Sequence, residues 1–339
     1  MSKIPSSREE GAPALEPPRV EIYHFVAGQQ PVQYDSIERM PAEGLVWIDF
    51  LRSASEGWEQ YPRTLLGVEV DFEHVLDSKN ANHPSFFDRS DAYDLLIFEG
   101  LGPNERPFPL ETRVAAFFLF ERLLITVRAA GNISFEDTKR RLTYARMKGS
   151  LSVFGLTHQI LDAMVDRFLA IRDPLDHHLT QLQDDLLDVS TNMSDWSALL
   201  VGRREVRRLE ALSEAQLEAL DAWRRGTSID WTTAEEVRIH DLIEHVTRVR
   251  NHATDLERDL EAAVQLYFAV TSHRTNEIMK IFTVMSVVFM PLTLLTGIWG
   301  MNFEDMPELH WRYGYPVALS LIVFLGLAMF LWFKRRRFF

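Results

Sequence analysis

The chain contains no cysteine, which excludes disulfide bonds and thiolate metal sites. A metal ion would therefore be bound through oxygen or imidazole, which favours a hard cation over a soft one. Basic residues are also in the minority, with 36 against 49 acidic residues and a formal net charge of −13. Nucleic-acid-binding surfaces carry the opposite excess, so no nucleic-acid partner is predicted. The acidic excess by itself is compatible with plain solubility or with attraction of cations.

The N-terminal segment lacks an apolar core and does not have the pattern of a signal peptide. Residues 1–19 are rich in proline, serine and charge, which predicts a disordered leader. Long apolar runs occur at the other end of the chain, with 20 uncharged residues in Ile281–Gly300 and 19 in Tyr315–Phe333. A helix of about 20 apolar residues spans the hydrocarbon of a bilayer, so two transmembrane helices are predicted.

Charge is distributed unevenly around these two spans. Arg274 and Lys280 precede the first span, and a basic tail at 334–339 follows the second at 315–333. The loop between them, at 302–314, carries the acids Glu304, Asp305 and Glu308. The positive-inside rule therefore predicts cytoplasmic termini, an external acidic loop and a location in the cell's inner or plasma membrane.

The part of the chain before the spans has two patterns. Residues 20–130 predict a small α/β domain, with strands beginning near Val20, Leu45 and Tyr93, a strand pair within 112–129, and a helical stretch around Tyr61–Asp77. Residues 131–230 predict cytoplasmic helices, two of them at about Thr157–Val189 and Asp195–Arg225. The predicted fold class is a cytoplasmic α/β domain with a long helical stalk and two C-terminal transmembrane helices.

The stalk is predicted from a seam of apolar residues. They alternate by three and four at Ile239, Leu242, Val246, Val249, Ala253, Leu256, Leu260, Ala263, Tyr267 and Val270. This pattern is typical of a coiled coil. No proline lies between Pro174 and Pro291, so residues 231–301 are predicted to form one helix that continues into the first span. A seam needs a partner and two spans cannot enclose a channel, which predicts an oligomer.

Mildly polar and sulfur-containing side chains recur along the first span, at Asn276, Met279, Thr283, Ser286, Met290 and Thr293. Small polar residues let membrane helices approach each other, so one interpretation is a packing face. The other is a pore lining, and periodicity alone does not separate the two. Beyond the span, the neutral amide oxygen of Asn302 suits a hydrated cation such as Mg²⁺, which keeps several of its waters. Gly300 would allow a backbone conformation at that turn that other residues resist.

No local pattern in the sequence indicates catalysis. His240 and Glu244 lie one helical turn apart, but they do not form the HExxH arrangement of a hydrolytic zinc site. The sequence therefore predicts that the protein is not an enzyme.

Residues 297–316, GIWGMNFEDMPELHWRYGYP, resemble the CorA magnesium and cobalt transporters, a two-transmembrane family with a Gly-Met-Asn motif. The preceding run, Thr275–Gly297, resembles the first span of that family. The resemblance implies a homopentameric, channel-like membrane protein whose first spans line the pore, which favours the pore interpretation of the polar stripe. It also implies that Gly300, Met301 and Asn302 form an external selectivity site for hydrated Mg²⁺.

The same resemblance implies gating by cytoplasmic Mg²⁺ bound between neighbouring soluble domains. Asp241 matches the stalk-side acid of that regulatory site, and Glu73 and His74 lie where its counterpart is expected, with the histidine in place of an acid. Mg²⁺ is thus the expected substrate and regulator, with no tightly bound cofactor, and the expected partners are divalent cations and the lipid bilayer.

The function that follows is import of Mg²⁺, with Co²⁺ and Ni²⁺ as further cargo, driven by the membrane potential. One alternative is a zinc transporter of the related ZntB branch. An alternative of another class is a membrane-anchored coiled-coil scaffold or sensor that transports nothing.

Overall fold

A computed structural model describes residues 20–103, 109–144, 151–187, 194–227, 231–301, 306 and 311–336. The chain divides into two compact units, Met1–Leu260 and Glu261–Phe339. The first unit is a mixed sheet covered by helices, and the second contains two long apolar helices.

A seven-stranded sheet forms the centre of the first unit, in the order β2-β1-β3-β7-β6-β5-β4. Its strands are β1 (Val20–Phe25), β2 (Val32–Tyr34), β3 (Leu45–Leu51), β4 (Phe86–Arg89), β5 (Asp94–Leu101), β6 (Thr112–Leu119) and β7 (Leu123–Arg128). β3 and β7 are parallel, and the other neighbouring pairs are antiparallel. The five inner strands are those predicted from the sequence, whereas the short edge strands β2 and β4 were not predicted.

The helices are α1 (Gln60–Leu66), α2 (Phe72–Lys79), α3 (Ile133–Tyr144), α4 (Val153–Ala170), α5 (Arg172–Leu187), α6 (Ser194–Gly226), α7 (Thr233–Trp299) and α8 (Gly314–Arg335). The single helix predicted around Tyr61–Asp77 is in fact α1 and α2, because Gly67 adopts a left-handed φ of 70° and ends α1. The single helix predicted at Thr157–Val189 is likewise divided, with Ile171 as the C-cap of α4.

Helices cover both faces of the sheet. Successive residues of a strand point to opposite faces, so Trp47, Phe98 and Phe117 pack with side chains of α3, α4, α6 and α7. Ile48 and Phe118 point the other way and pack with side chains from α1, α2 and the segment before them. The predicted α/β domain is therefore a three-layer arrangement with a separate apolar core on each side of the sheet.

The N-terminal part of α7 belongs to the first of these cores. Ile239, Leu242 and Val246 are buried in one cluster with side chains of α4 and α6, and the seam remains buried as far as Leu260. The prediction that this seam needs a second copy is wrong for Ile239–Leu260, because helices of the same chain cover it. A heptad pattern shows that a stripe is buried, but it does not show against which partner.

The second unit contains the two predicted spans, which lie within α7 and α8. Their most apolar windows have mean hydropathies of 2.1 and 2.3, and only 6% of each window is buried. Val287 shares a cavity with Met329, whereas Thr296 shares another with Val317, so the two helices run antiparallel. The helices approach closely at Gly326, where a Cβ would lie 3.4 Å from Leu292.

Five charged side chains meet between the sheet and α3 in the first unit, namely Glu21, Asp49, Arg128, Glu136 and Lys139. Asp49 lies 2.8 Å from Arg128 Nε and 2.7 Å from Lys139 Nζ, and it accepts a 2.6 Å hydrogen bond from the Thr126 hydroxyl. Burial raises the pKa of Asp49, but the charges of Lys139 and Arg128 outweigh burial and lower the pKa below its ordinary value. Burial also raises the pKa of Tyr23, which donates a 2.5 Å hydrogen bond to Glu21.

We predict that Arg128→Met lowers the free energy of unfolding by about 3–5 kcal/mol, because the buried carboxylate of Asp49 loses one of its two cationic partners. Guanidinium denaturation of the full-length protein in detergent measures this change. Arg63→Met is the control, since Arg63 and Glu69 form a 3.4 Å pair whose side chains are 72% and 75% exposed. That change should cost less than about 1 kcal/mol. Equal losses for the two variants would contradict a stabilising role for the buried cluster.

Candidate functional site

The stripe predicted to line a pore is exposed along α7 in the second unit. Three of its residues, Ser286, Met290 and Thr293, line an open groove of about 730 Å³ together with Gly297 and Met301. The apolar side chains of Phe289, Leu294 and Ile298 complete the lining. The groove thus combines a few oxygen and sulfur atoms with a mainly apolar wall, and the described part of α7 has no acid or base between Lys280 and Met301.

Two threonine hydroxyls of this stripe are oriented by the helix itself. Thr283 donates to the carbonyl of Met279 at 2.7 Å, and Thr293 donates to the carbonyl of Phe289 at 2.8 Å. Each hydroxyl has one proton, and that proton is used in the helix. What these side chains can offer a ligand is therefore an acceptor oxygen, which suits the hydrogens of a cation's bound water.

Part of the predicted selectivity site lies at the end of α7. The Gly300 amide donates to the Thr296 carbonyl at 2.9 Å, and the Met301 amide donates to the Ile298 carbonyl at 3.2 Å. Gly300 does not use the backbone freedom that glycine allows, since it does not have the positive φ found at five other glycines. Space is restricted there instead, because an added Cβ would lie 3.1 Å from the Thr296 carbonyl oxygen.

Asn302 and the loop acids Glu304, Asp305 and Glu308 lie outside the described residues. On the other side of the turn, an apolar cavity of about 430 Å³ lies between the end of α7 and the start of α8, with aromatic walls formed by Trp299, Trp311 and Tyr315. Large aromatic side chains at this position are typical of the membrane–water interface.

The residues predicted to bind the regulatory metal differ in burial, and within one chain the structure does not bring them together. His74 is buried, and its two ring nitrogens lie 2.8 Å from the Tyr93 hydroxyl and 3.1 Å from Asp88, so neither is free for a metal. Glu73 is exposed on α2, and Asp241 is exposed on α7. Within one chain, in the ranges that the structure describes, no hydrogen bond or ion pair joins Asp241 to Glu73 or His74.

A different group of side chains converges beside Asp241. His245 lies one turn further along α7, 3.7 Å from the Asp241 carboxylate, and it faces α4. Its imidazole and the carboxylates of Asp162 and Asp166 bring their ligand atoms within 4.8 Å of one another. We refer to Asp162, Asp166 and His245 as the α4–α7 cluster. Carboxylate and imidazole groups together are a suitable ligand set for a divalent cation.

The electrostatics of the α4–α7 cluster also fit a cation. Burial raises the pKa of Asp162, and the negative charge of Asp166 raises it further. The Nδ1 atom of His245 is buried without a hydrogen-bond partner among the described residues. Two adjacent carboxylates and an unsatisfied ring nitrogen are each stabilised when a cation lies between them. The sequence contained a signal for this cluster, because Asp162 and Asp166 are one helical turn apart, as are Asp241 and His245.

Comparisons with known proteins agree with this architecture. The sequence model of the family described as "CorA-like Mg2+ transporter protein" matches residues 42–335. The cobalt/magnesium transport protein CorA of Thermotoga maritima is 24% identical over 268 residues, which cover 78% of this chain and 75% of that protein.

Two solved structures share the fold. The complete CorA magnesium transporter of Methanocaldococcus jannaschii superposes with a TM-score of 0.79 at 17% identity, covering 96% of this chain and 100% of that chain. The ZntB cytoplasmic domain of Vibrio parahaemolyticus has a TM-score of 0.59 at 17% identity, covering 76% of this chain and 98% of that chain.

We predict that Mg²⁺ raises the melting temperature of the full-length protein, and that His245→Gln and Asp166→Asn reduce this rise by removing ligands of the α4–α7 cluster. A cation at about 100 times its Kd stabilises the folded state by about 2.7 kcal/mol. Thermal unfolding with and without Mg²⁺ gives the shift for each variant. His74→Gln is the control, because both ring nitrogens of His74 already have protein partners, and it should keep the full shift. An undiminished shift in His245→Gln would show that Mg²⁺ binds elsewhere.

Proposed function

This chain belongs to the CorA family of divalent cation transporters, and from that premise we propose that it imports Mg²⁺ as a homopentamer, with Co²⁺ and Ni²⁺ as further cargo. In this proposal five copies of α7 surround the pore and five copies of α8 form the outer ring. Both termini lie in the cytoplasm, since the basic residues flank the spans at that side and the loop between the spans is acidic.

The single observation that supports a pore most strongly is the exposed stripe on α7. A helix face that contacts only lipid has no need of Ser286 and Thr293, whereas water in a pore needs polar groups. Thr283 and Thr293 offer acceptor oxygens, because their protons are bonded to backbone carbonyls. Such oxygens can contact the water shell of Mg²⁺ without stripping it, and Mg²⁺ dehydrates reluctantly. Asn276 and Met279 continue the same stripe towards the cytoplasm.

At the outer end, Gly300, Met301 and Asn302 form the proposed selectivity site. The amide oxygen of Asn302 accepts hydrogen bonds from the waters of the cation, and the small Gly300 fits the narrow space beside Thr296. Glu304, Asp305 and Glu308 raise the local concentration of divalent cations at the entrance.

The membrane potential can drive this import. Two positive charges that move inward across about 100 mV gain about 4.6 kcal/mol. This is enough for accumulation of more than a thousandfold, since each factor of ten costs about 1.4 kcal/mol.

Regulation by cytoplasmic Mg²⁺ is proposed to act at the α4–α7 cluster together with Asp241. A cation bound there would join α4 to the helix that continues into the first span. The exposed Glu73 remains available to a neighbouring copy, whereas His74 has its ring nitrogens occupied. The Mg²⁺-dependent rise in melting temperature tests the binding step of this regulation.

We predict that Asn302→Ala abolishes Mg²⁺ uptake into magnesium-starved cells, because the pore entrance loses the acceptor that holds the hydrated ion. Size-exclusion chromatography in detergent checks that the oligomer still forms. Ser320→Ala is the control: it also removes a polar group from a span, but the Ser320 hydroxyl only donates to the Pro316 carbonyl of α8, at 2.8 Å. Normal uptake by the Asn302 variant would refute the selectivity site.

Zinc is the second candidate cargo, and two observations favour considering it: the likeness of the soluble unit to the ZntB domain and the imidazole in the α4–α7 cluster.

We predict that excess Mg²⁺ suppresses Zn²⁺ flux in proteoliposomes, whereas equimolar Zn²⁺ leaves Mg²⁺ flux nearly unchanged. The reverse order would identify a zinc transporter. Absence of flux with every divalent cation would instead favour the membrane-anchored scaffold or sensor.

A further inference from the structure

An apolar groove separate from the proposed pore stripe lies between α7 and α8. Val287 of α7 forms one wall, and the others come from α8 through Ala328, Met329, Trp332 and Phe333. Phe333 is 5% exposed and lies at the bottom, whereas Trp332 is 55% exposed. The volume is about 440 Å³, which is within the range of about 300–1,000 Å³ found for ligand pockets.

Basic side chains lie at one end of this groove. Met329, Trp332 and Arg336 are spaced by three and four residues, so they share one face of α8. The Arg336 guanidinium lies 5.8 Å from the centre of the Trp332 ring, a position in which a cation–π contact orients the charge. The groove therefore ends at a cation that is held beside its aromatic wall.

A second cation approaches the same end from the opposite wall. On α7, Lys280 precedes Val287 by seven residues, or two helical turns, and lies on the same face. Because α7 and α8 are antiparallel, the residues before Val287 and those after Met329 lie towards the same side of the bilayer. Lys334 and Arg335 are also in the last turn of α8, but Lys334 lies on the face away from Met329, and Glu277 is the acid nearest to Lys280 along α7.

We propose that this groove binds an acidic phospholipid of the cytoplasmic leaflet. One acyl chain lies along Val287, Met329 and Trp332, and the phosphate lies between Lys280 and Arg336. Basic pockets between membrane helices on the cytoplasmic side are suited to anionic headgroups, and a guanidinium presents forked donors to phosphate. The proposal rests on the membrane orientation of the proposed function and not on cation transport.

Charge complementarity separates this ligand from the other occupants of an apolar groove. An apolar helix of a neighbouring copy would cover Met329 and Trp332 but would supply no counter-charge for Lys280 and Arg336. A zwitterionic lipid would bring the positively charged group of its own headgroup close to the positive charges of Lys280 and Arg336. A lipid with a net negative headgroup matches both the apolar walls and the basic end.

The test compares two lipids that differ only in the headgroup, dioleoylphosphatidylglycerol and dioleoylphosphatidylcholine, by native mass spectrometry of the full-length protein. The wild-type protein should retain more phosphatidylglycerol than phosphatidylcholine. Arg336→Gln should weaken phosphatidylglycerol binding about fivefold, which corresponds to about 1 kcal/mol for one cation at the membrane surface. Lys334→Gln is the matched control, because Lys334 is in the same turn but lies five residues from Met329, on the opposite face of α8. It should leave binding unchanged.

Two further variants test the apolar part of the groove. Ala328→Phe fills the groove and should reduce the retention of both lipids. Because the chain has no cysteine, Ala328→Cys gives a single thiol that can carry a benzophenone photo-crosslinker. A crosslinked dimer of the chain after illumination would show that another chain fills the groove and would overturn the lipid site.

If Lys334→Gln and Arg336→Gln weakened phosphatidylglycerol binding equally, the lipid site would also be overturned. The lipid would then be attracted by the overall basic charge of the tail and not by one groove. Divalent cation flux is measured on the same preparations. Normal flux without a lipid preference refutes the lipid site alone, and a lipid preference without flux refutes the transport proposal alone.

Discussion

One helix, α7, has to be stable both in a protein core and in lipid, and the other features of the molecule depend on this constraint. From Ile239 to Leu260 it presents a stripe that is buried by other helices of the same chain, and from Ile281 onward it presents apolar side chains on nearly every face. Its backbone hydrogen bonds are internal in both parts, so the same helix can leave a protein core and enter lipid. Asp241, His245, the polar stripe and Gly300 all lie on α7 or on the turn that ends it.

The buried charges around Asp49 have a related role in the first unit. They join the sheet to α3 through Arg128 and Lys139, and α3 packs directly against α4. α4, which carries Asp162 and Asp166, packs against α3 as well as against the sheet, so the ion cluster supports one of its two contacts. The ion cluster fixes the orientation of α3 on the sheet. The Thr126 hydroxyl binds one carboxylate oxygen of Asp49, and Arg128 and Lys139 bind the other.

Much of this architecture can be read from the sequence because it depends on local patterns. The two apolar spans, the five inner strands and the continuity of α7 each follow from hydrophobic periodicity and the positions of proline. The edge strand β2, VQY, is exposed and too short to alternate, so it leaves no such signal. The division between α1 and α2 depends on the left-handed conformation of Gly67, which composition alone does not reveal.

What the sequence could not supply is the pairing of distant residues. The heptads of α7 predicted burial correctly from Ile239 to Leu260 but suggested another copy as the partner, whereas helices of the same chain cover this part. The α4–α7 cluster was missed for the same reason, because its ligands come from two helices far apart in the sequence. His74 was a reasonable candidate by position alone, and only the contacts with Tyr93 and Asp88 show that its nitrogens are occupied.

If α7 lines a pore as proposed, the hydrogen bonds of Thr283 and Thr293 to their own helix have a consequence for the speed of permeation. A pore lined by carboxylates would hold a divalent ion strongly, and each ion would leave slowly. Hydroxyl oxygens whose protons are already bonded attract the ion only through its water, so the residence time of each ion is short. The two threonine oxygens have no hydrogen left to donate to chloride or phosphate, so these two positions offer an anion neither a charge nor a hydrogen-bond donor.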